Sequence, residues 1–162
     1  MIRLAEEKDC LDIIIILNMV LEHHHKIKPE LFKGEGSKYN SDEIKQLLKD
    51  SNRRTIVYEH DGKIVGHLFL ELKEHAETNT THPYKELYID DLGVLEEYQG
   101  QGIGRSLYEY AKEFGKANGF DVITLNVYSG NDAEEFYQKL GLKPRKVMLE
   151  EILWLVMIGT EN

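Results

Sequence analysis

Three glycines at alternate positions, Gly100, Gly102 and Gly104, separate an apolar run from a strongly periodic segment. The apolar run is Leu92-Gly93-Val94-Leu95, and the segment carries Ile103, Leu107, Tyr110, Ala111 and Phe114 at helical spacing. A strand that feeds a glycine-rich turn opening a helix admits few architectures. Backbone N–H groups converge there, the helix dipole adds partial positive charge, and glycine lets an anion approach the main chain. The stretch predicts an anion cradle, and the remainder of the chain a frame around it.

The spacing narrows the anion. A dinucleotide turn needs G-x-G-x-x-G with an acid about 20 residues further on, and a P-loop needs Gly-Lys-Ser/Thr. Gly100-Gln101-Gly102-Ile103-Gly104 satisfies neither. The net charge of −9 argues against a nucleic-acid partner, which usually needs a basic face. Acidity fits solubility first and a cationic substrate second. The single cysteine, Cys10, excludes an internal disulfide and fits a reducing compartment. Residues 1–9 have no signal-peptide pattern, and the longest apolar run, Ile13 to Leu17, is too short to span a bilayer. A cytoplasmic protein with no membrane partner is expected, as one domain over residues 1–162.

In chain order, Met1 to Leu4 is a strand and Glu7 to His25 a helix with Ile13, Ile16, Leu17 and Val20 on its apolar face. His23-His24-His25 closes that helix and suits its dipole. Successive helical side chains point about 100° apart, so the three cannot converge on one ion, and no metal site is expected. A long irregular stretch from Ile27 to Asn40 has the length of a binding loop or lid. Ser41 then caps a helix through Leu48. Arg54 to Glu59 and Ile64 to Leu72 form a hairpin over Asp61-Gly62, with His67 packed rather than a ligand. A polar loop over Lys73 to Lys85 leads to the strand Glu86 to Leu95. After the glycine turn come a helix ending at Asn118-Gly119, a strand from Val122 to Tyr128, and a short helix stopped by Gly141. The apolar run Val147 to Ile158 predicts a final strand or a homodimer interface.

Gln99-Gly100-Gln101-Gly102-Ile103-Gly104 resembles the Q/R-x-x-G-x-G/A signature of the GNAT superfamily of acetyl-CoA-dependent N-acyltransferases. Tyr88 to Val94 resembles the family's preceding strand. Asn131, Ala133, Phe136, Tyr137, Leu140, Gly141 and Leu142 resemble its tail motif, one residue tighter after Asn131. About 140 residues follow the family's order of elements. The resemblance implies a mixed α/β (α+β) fold with a mostly antiparallel twisted sheet of six to seven strands and about four helices. It implies acetyl-CoA as co-substrate, its pantetheine arm along the backbone of Leu92, Gly93 and Val94. The pyrophosphate falls to the turn Gln99, Gly100, Gln101, Gly102, Ile103, Gly104 and Arg105, with Ser106 adjacent, and Asn131 contacts the cofactor further along.

Tyr137 resembles the tyrosine that protonates the departing thiolate, a role its pKa near 10 permits. Direct attack by an amine also needs a proton acceptor. Tyr88 holds a position where some family members carry a base. Asp90 shares its face, while Asp91 points the other way unless a bulge intervenes. Tyr88 or Asp90, acting through water, is the expected base. His23, His24, Phe32, Tyr39 and Tyr84 are candidates for the acceptor side. The implied reaction is N-acetylation of a primary amine on a small molecule. The alternatives are a CoA-binding regulatory module without turnover and a protein N-terminal or lysine acetyltransferase.

Overall fold

The computed structural model describes residues 1–154. Five strands form one sheet in the order β1 (Ile2–Leu4), β2 (Arg53–His60), β3 (Lys63–His75), β4 (Tyr84–Val94) and β5 (Val122–Thr124). The first four pair antiparallel in succession, because each connection between β2, β3 and β4 is a local hairpin. At the β2–β3 turn Asp61 and Gly62 both take positive φ, 49° and 77°, the mirror-image turn that matches strand twist. β5 returns parallel to β4 through the crossover helix α3 (Ile103–Ala117).

Helices α1 (Cys10–Ile27) and α2 (Ser41–Lys49) cover one face, and α3 covers the other. Alternation along β3 sets the two interfaces. Gly66 faces Ile103 and Leu107 of α3, and the next residue, His67, lies beneath Gly93 and α1. The core runs through both faces, with Ile13, Ile16 and Leu17 of α1, Leu68 and Leu70 of β3, and Leu107 and Ala111 of α3 all buried. α4 (Asp132–Lys139) packs at the entry to α3, where Phe136 lies against Gly104.

Several boundaries differ from the sequence expectation. The N-cap of α2 is Asn40, not Ser41. Asn40 Oδ1 accepts from the Glu43 N–H and Glu43 Oε1 from the Asn40 N–H, a reciprocal box that Ser41 would have to break. β3 runs to His75 and β4 begins at Tyr84, so the loop between them is shorter than Lys73 to Lys85. β5 is three residues long because it pairs with β4 only through Tyr88↔Thr124 and then diverges. The sheet accordingly has five strands among the described residues rather than six to seven. Of the expected final strand, Val147 to Trp154 is irregular and exposed and pairs with no strand of the sheet; residues 155–158 lie outside the described residues.

Candidate active site

The divergence of β5 leaves one edge of β4 open beside the glycine turn. The Leu95 N–H donates to Val65 O, so Leu95 and Gly93 direct their backbone groups at β3. Leu92 and Val94, on alternate parity, direct theirs into the opening. The Val94 carbonyl accepts from Gln99 Nε2 at 2.9 Å, which ties the start of the turn back to the strand. A single turn of 3₁₀ helix, Glu96–Tyr98, then leads to Gly100 and Gly102, at φ 79° and 82°. A Cβ at either would meet nothing within 4 Å, so their need is conformational. Gly104 differs: its φ is ordinary, and a Cβ there would lie 3.3 Å from Phe136 Cζ.

The first bond within α3 runs from the Ser106 N–H to Gly102 O at 3.0 Å. The N–H groups of Ile103, Gly104 and Arg105 precede it and have no acceptor of their own in the helix. The Ser106 hydroxyl donates to the same Gly102 oxygen at 2.9 Å, which stiffens the cap. Free N–H donors, a helix N-terminus and glycines open to solvent form a surface that an extended phosphate-bearing ligand fits. The open edge of Leu92 and Val94 is continuous with it.

Across the opening stands α4. Asn131 is its N-cap, accepting from the Ala133 N–H at 2.9 Å, and its Oδ1 also accepts from His23 Nε2 at 3.3 Å. Tyr137 is buried, and its phenol is pushed well above the ordinary tyrosine range by burial first, then by the charge of Asp91 and by Tyr108. Leu142 N–H to Tyr137 O and Gly141 N–H to Gln138 O close the helix, with Gly141 at φ 100°.

β4 carries a bulge. Phe69 pairs with Asp91 and Leu70 with Ile89, so Asp90 is an extra residue. Both acids therefore lie around the Phe69 ring, on the face covered by α1 and α2. Asp90 accepts from the Tyr39 hydroxyl at 2.6 Å and from Lys38 Nζ at 3.1 Å, with Arg53 Nη1 3.6 Å away. Burial and that bond hold the Tyr39 phenol protonated far into the alkaline range. Asp91 instead pairs with His67 Nε2. His67 is fully buried and its ring stacks on Phe69 at 4.8 Å.

The candidates from the sequence thus separate into groups. Leu92, Val94, Gly100, Gly102, Gly104, Arg105, Asn131 and Tyr137 surround one opening. Tyr88 lies beneath Lys73, whose Nζ is 4.4 Å from its ring centroid, and its hydroxyl accepts from Asn126. Tyr84 stacks on His75 at the far end of β4, away from the turn. The three histidines diverge, as their helical phase requires: His23 reaches Asn131, His24 lies 5.0 Å from the Phe32 ring, and His25 Nδ1 donates to Phe32 O at 2.7 Å. Phe32 also meets Tyr128 edge-on at 5.1 Å. Tyr128 was not singled out from sequence, because the expected strand gave it a place in the sheet. Packing is the role expected of His67, and the opposite face that of Asp91 unless a bulge intervenes; the bulge is present, and the Asp-Asp pair in an apolar strand is its signal.

The acetyltransferase (GNAT) family model matches residues 17–142. This chain belongs to the GNAT family. Its family uses acetyl-CoA as co-substrate. Among solved structures, a mutant of the BH1408 protein of Bacillus halodurans is 29% identical, covers 95% of this chain and 99% of its own, and superposes with a TM-score of 0.91. A second Bacillus halodurans structure, of a protein described as a transcriptional regulator, is 26% identical with a TM-score of 0.75, covering 93% of this chain and 97% of its own. YycN of Bacillus subtilis, an uncharacterized N-acetyltransferase, is 29% identical over 91 residues, 56% of this chain and 54% of that protein. This GNAT chain spans about half the length of the curated relatives it matches.

Proposed function

We propose that the chain transfers the acetyl group of acetyl-CoA to a primary amine of a small molecule by direct attack. The observation that carries this reading is the continuity of the open β4 edge with the unpaired N–H groups at the head of α3. Leu92 and Val94 hold the pantetheine arm by backbone hydrogen bonds. The N–H groups of Gln101, Gly102, Ile103, Gly104 and Arg105 hold the pyrophosphate, with the Arg105 side chain beside them. Asn131 fixes the start of α4 across the opening and contacts the arm near its reactive end. Acetyl-CoA supplies the activated acyl group. Tyr137 protonates the departing sulfur, and its raised pKa keeps that proton in place at neutral pH.

The acceptor enters from the face of α1 and the loop that follows, where His23, His24 and Phe32 lie. The acidic chain suits a cationic amine. A thiol-release assay across polyamines, aminoglycosides, amino acids and arylalkylamines, with mass analysis of products, tests the reading. Acetyl-CoA binding without thiol release from any amine would instead favour a CoA-responsive regulatory module. That second reading draws on the structural neighbour described as a transcriptional regulator.

No helix among the described residues is long and apolar enough to cross a membrane. The single cysteine supports a reducing, cytoplasmic setting. The exposed side chains of Val147, Met148, Leu149, Leu153 and Trp154 support a homodimer that covers them. A monomeric mass by light scattering would refute it.

A further inference from the structure

Two buried or half-buried groups from neighbouring strands meet beside the open stretch of β4, and a third is buried on α4. Asp91 comes from the β4 bulge, His67 from β3 and Tyr137 from α4. The Asp91 carboxylate uses Oδ2 to accept from His67 Nε2. Oδ1 has no hydrogen-bond partner among the described residues, yet it is not sealed from solvent: the side chain retains 8% exposure. Its charge reaches Tyr137, whose ionisation it opposes, and His24, whose protonated form it favours against the stronger effect of burial. Asp91 lies directly before Leu92 in β4, at the end of the bulge and against His67.

His67 Nδ1 is buried without a partner. A bare lone pair there costs less than a bare N–H, so the ring proton belongs on Nε2, pointing at Asp91. Two walls fix the ring. Phe69 stacks on one side, and the backbone of Gly93 leaves room for it where a Cβ would lie 3.2 Å from His67 Cε1. Asp90 has no such freedom, because Tyr39, Lys38 and Arg53 already hold it.

We infer that Asp91 is the proton acceptor for the incoming amine and that His67 is the residue that positions it. The inference rests on the acetyl-transfer reading above and moves the base from Tyr88 or Asp90 to their neighbour. An acceptor that arrives as an ammonium gives one proton to Asp91 Oδ1, which passes it to solvent. The neutral nitrogen then bonds the acetyl carbonyl carbon as the carbon–sulfur bond breaks. The sulfur takes the Tyr137 proton, and the proton shed by the new amide nitrogen restores the phenol through water. One proton is released per turnover and all charges balance. Of the titratable and charged groups, His67 from β3 contacts Asp91 directly, and Tyr137 from α4 and His24 from α1 feel its charge; Tyr39, Lys38 and Arg53 gather on Asp90 instead.

The test uses the most active amine of the panel and its weakly basic fluorinated analogue, which is already neutral at pH 7. Asp91→Asn should lower kcat/KM for the ordinary amine at least about 100-fold at neutral pH, recover it as pH rises, and scarcely affect the analogue. His67→Phe should follow the same pattern more weakly, and His67→Gln, which keeps a donor near Nε2, should restore most of the loss. A separate readout needs no acetyl-CoA: nitrogen NMR of the free protein should place the His67 proton on Nε2, a preference that Asp91→Asn weakens. Equal losses on both amines, no loss, or a larger loss in Asp90→Asn would overturn the assignment while leaving acetyl transfer intact. A proton on Nδ1 would overturn the role of His67. Absence of thiol release from the wild type with every amine would overturn the acetyl-transfer reading itself, and this inference with it.

Discussion

Gly93→Ala tests how closely α1 is seated on β4, and so how the Asp91–His67 pair is held at the opening. Gly93 has no positive φ, so the backbone tolerates alanine; the obstacle is space. The new Cβ would lie 2.7 Å from Ile16 Cγ2, 3.1 Å from Val20 Cγ2 and 3.2 Å from His67 Cε1. Ile16 and His67 are fully buried, so neither can swing away into solvent. Overpacking of this kind costs about 1–3 kcal/mol. At roughly 2–4 °C per kcal/mol for a chain of this size, the melting temperature should fall by about 2–12 °C.

The assay is thermal and urea unfolding of Gly93→Ala, Ile16→Ala and the double variant. Ile16→Ala removes the clashing methyl and leaves a cavity, at a cost of about 2–5 kcal/mol alone. The double variant should be more stable than the sum of the two losses predicts, by at least about 1 kcal/mol, because the methyl that collides is gone. A Gly93→Ala variant as stable as wild type, or strict additivity in the double, would refute the contact and the placement of α1.

The remaining predictions follow from the same geometry. Tyr137→Phe should cut turnover by about 100-fold or more and leave acetyl-CoA affinity nearly unchanged; a large affinity loss with normal turnover would contradict the acid role. The raised Tyr137 pKa means that its proton is retained through the ordinary tyrosine range near 10, so turnover should not fall with loss of the acid until the pH is well above it. For stability, burial alone would raise the Asp9 pKa, but the Arg3 guanidinium at 2.8 Å and the Glu6 N–H outweigh it and leave it lowered. A depressed carboxyl contributes stability above its unfolded value of about 3.9 and loses it as pH falls through the folded one. Asp9→Asn should therefore lower the melting temperature at pH 7, with the gap to wild type closing below about pH 4; a gap that widens in acid would reverse the sign.

The parts of this molecule legible in the sequence are those set by local rules. Gly100 and Gly102 announce left-handed backbone, Asp61-Gly62 a hairpin turn, and Gly141 a helix stop, and each sits where that chemistry requires it. The periodic stripes of α1 and α3 face the core as expected. What escaped depends on register and neighbours. One extra residue at Asp90 turns both acids to one side of the sheet, and periodicity alone does not reveal that Asp90 is the unpaired one. Tyr128 left the sheet because β5 diverges after Thr124, a tertiary event that its strand-like residues oppose. The apolar run from Val147 reads as a strand or an interface in sequence, because composition does not say whether a partner edge is present.

The most direct measurement is titration calorimetry of acetyl-CoA into the wild-type protein, paired with thiol release from the amine panel. Saturable binding at roughly micromolar concentration is expected, lost when Gly104→Glu places a bulky anion at the head of α3, together with thiol release from at least one amine. No binding at that concentration, or binding unchanged by Gly104→Glu, would contradict it.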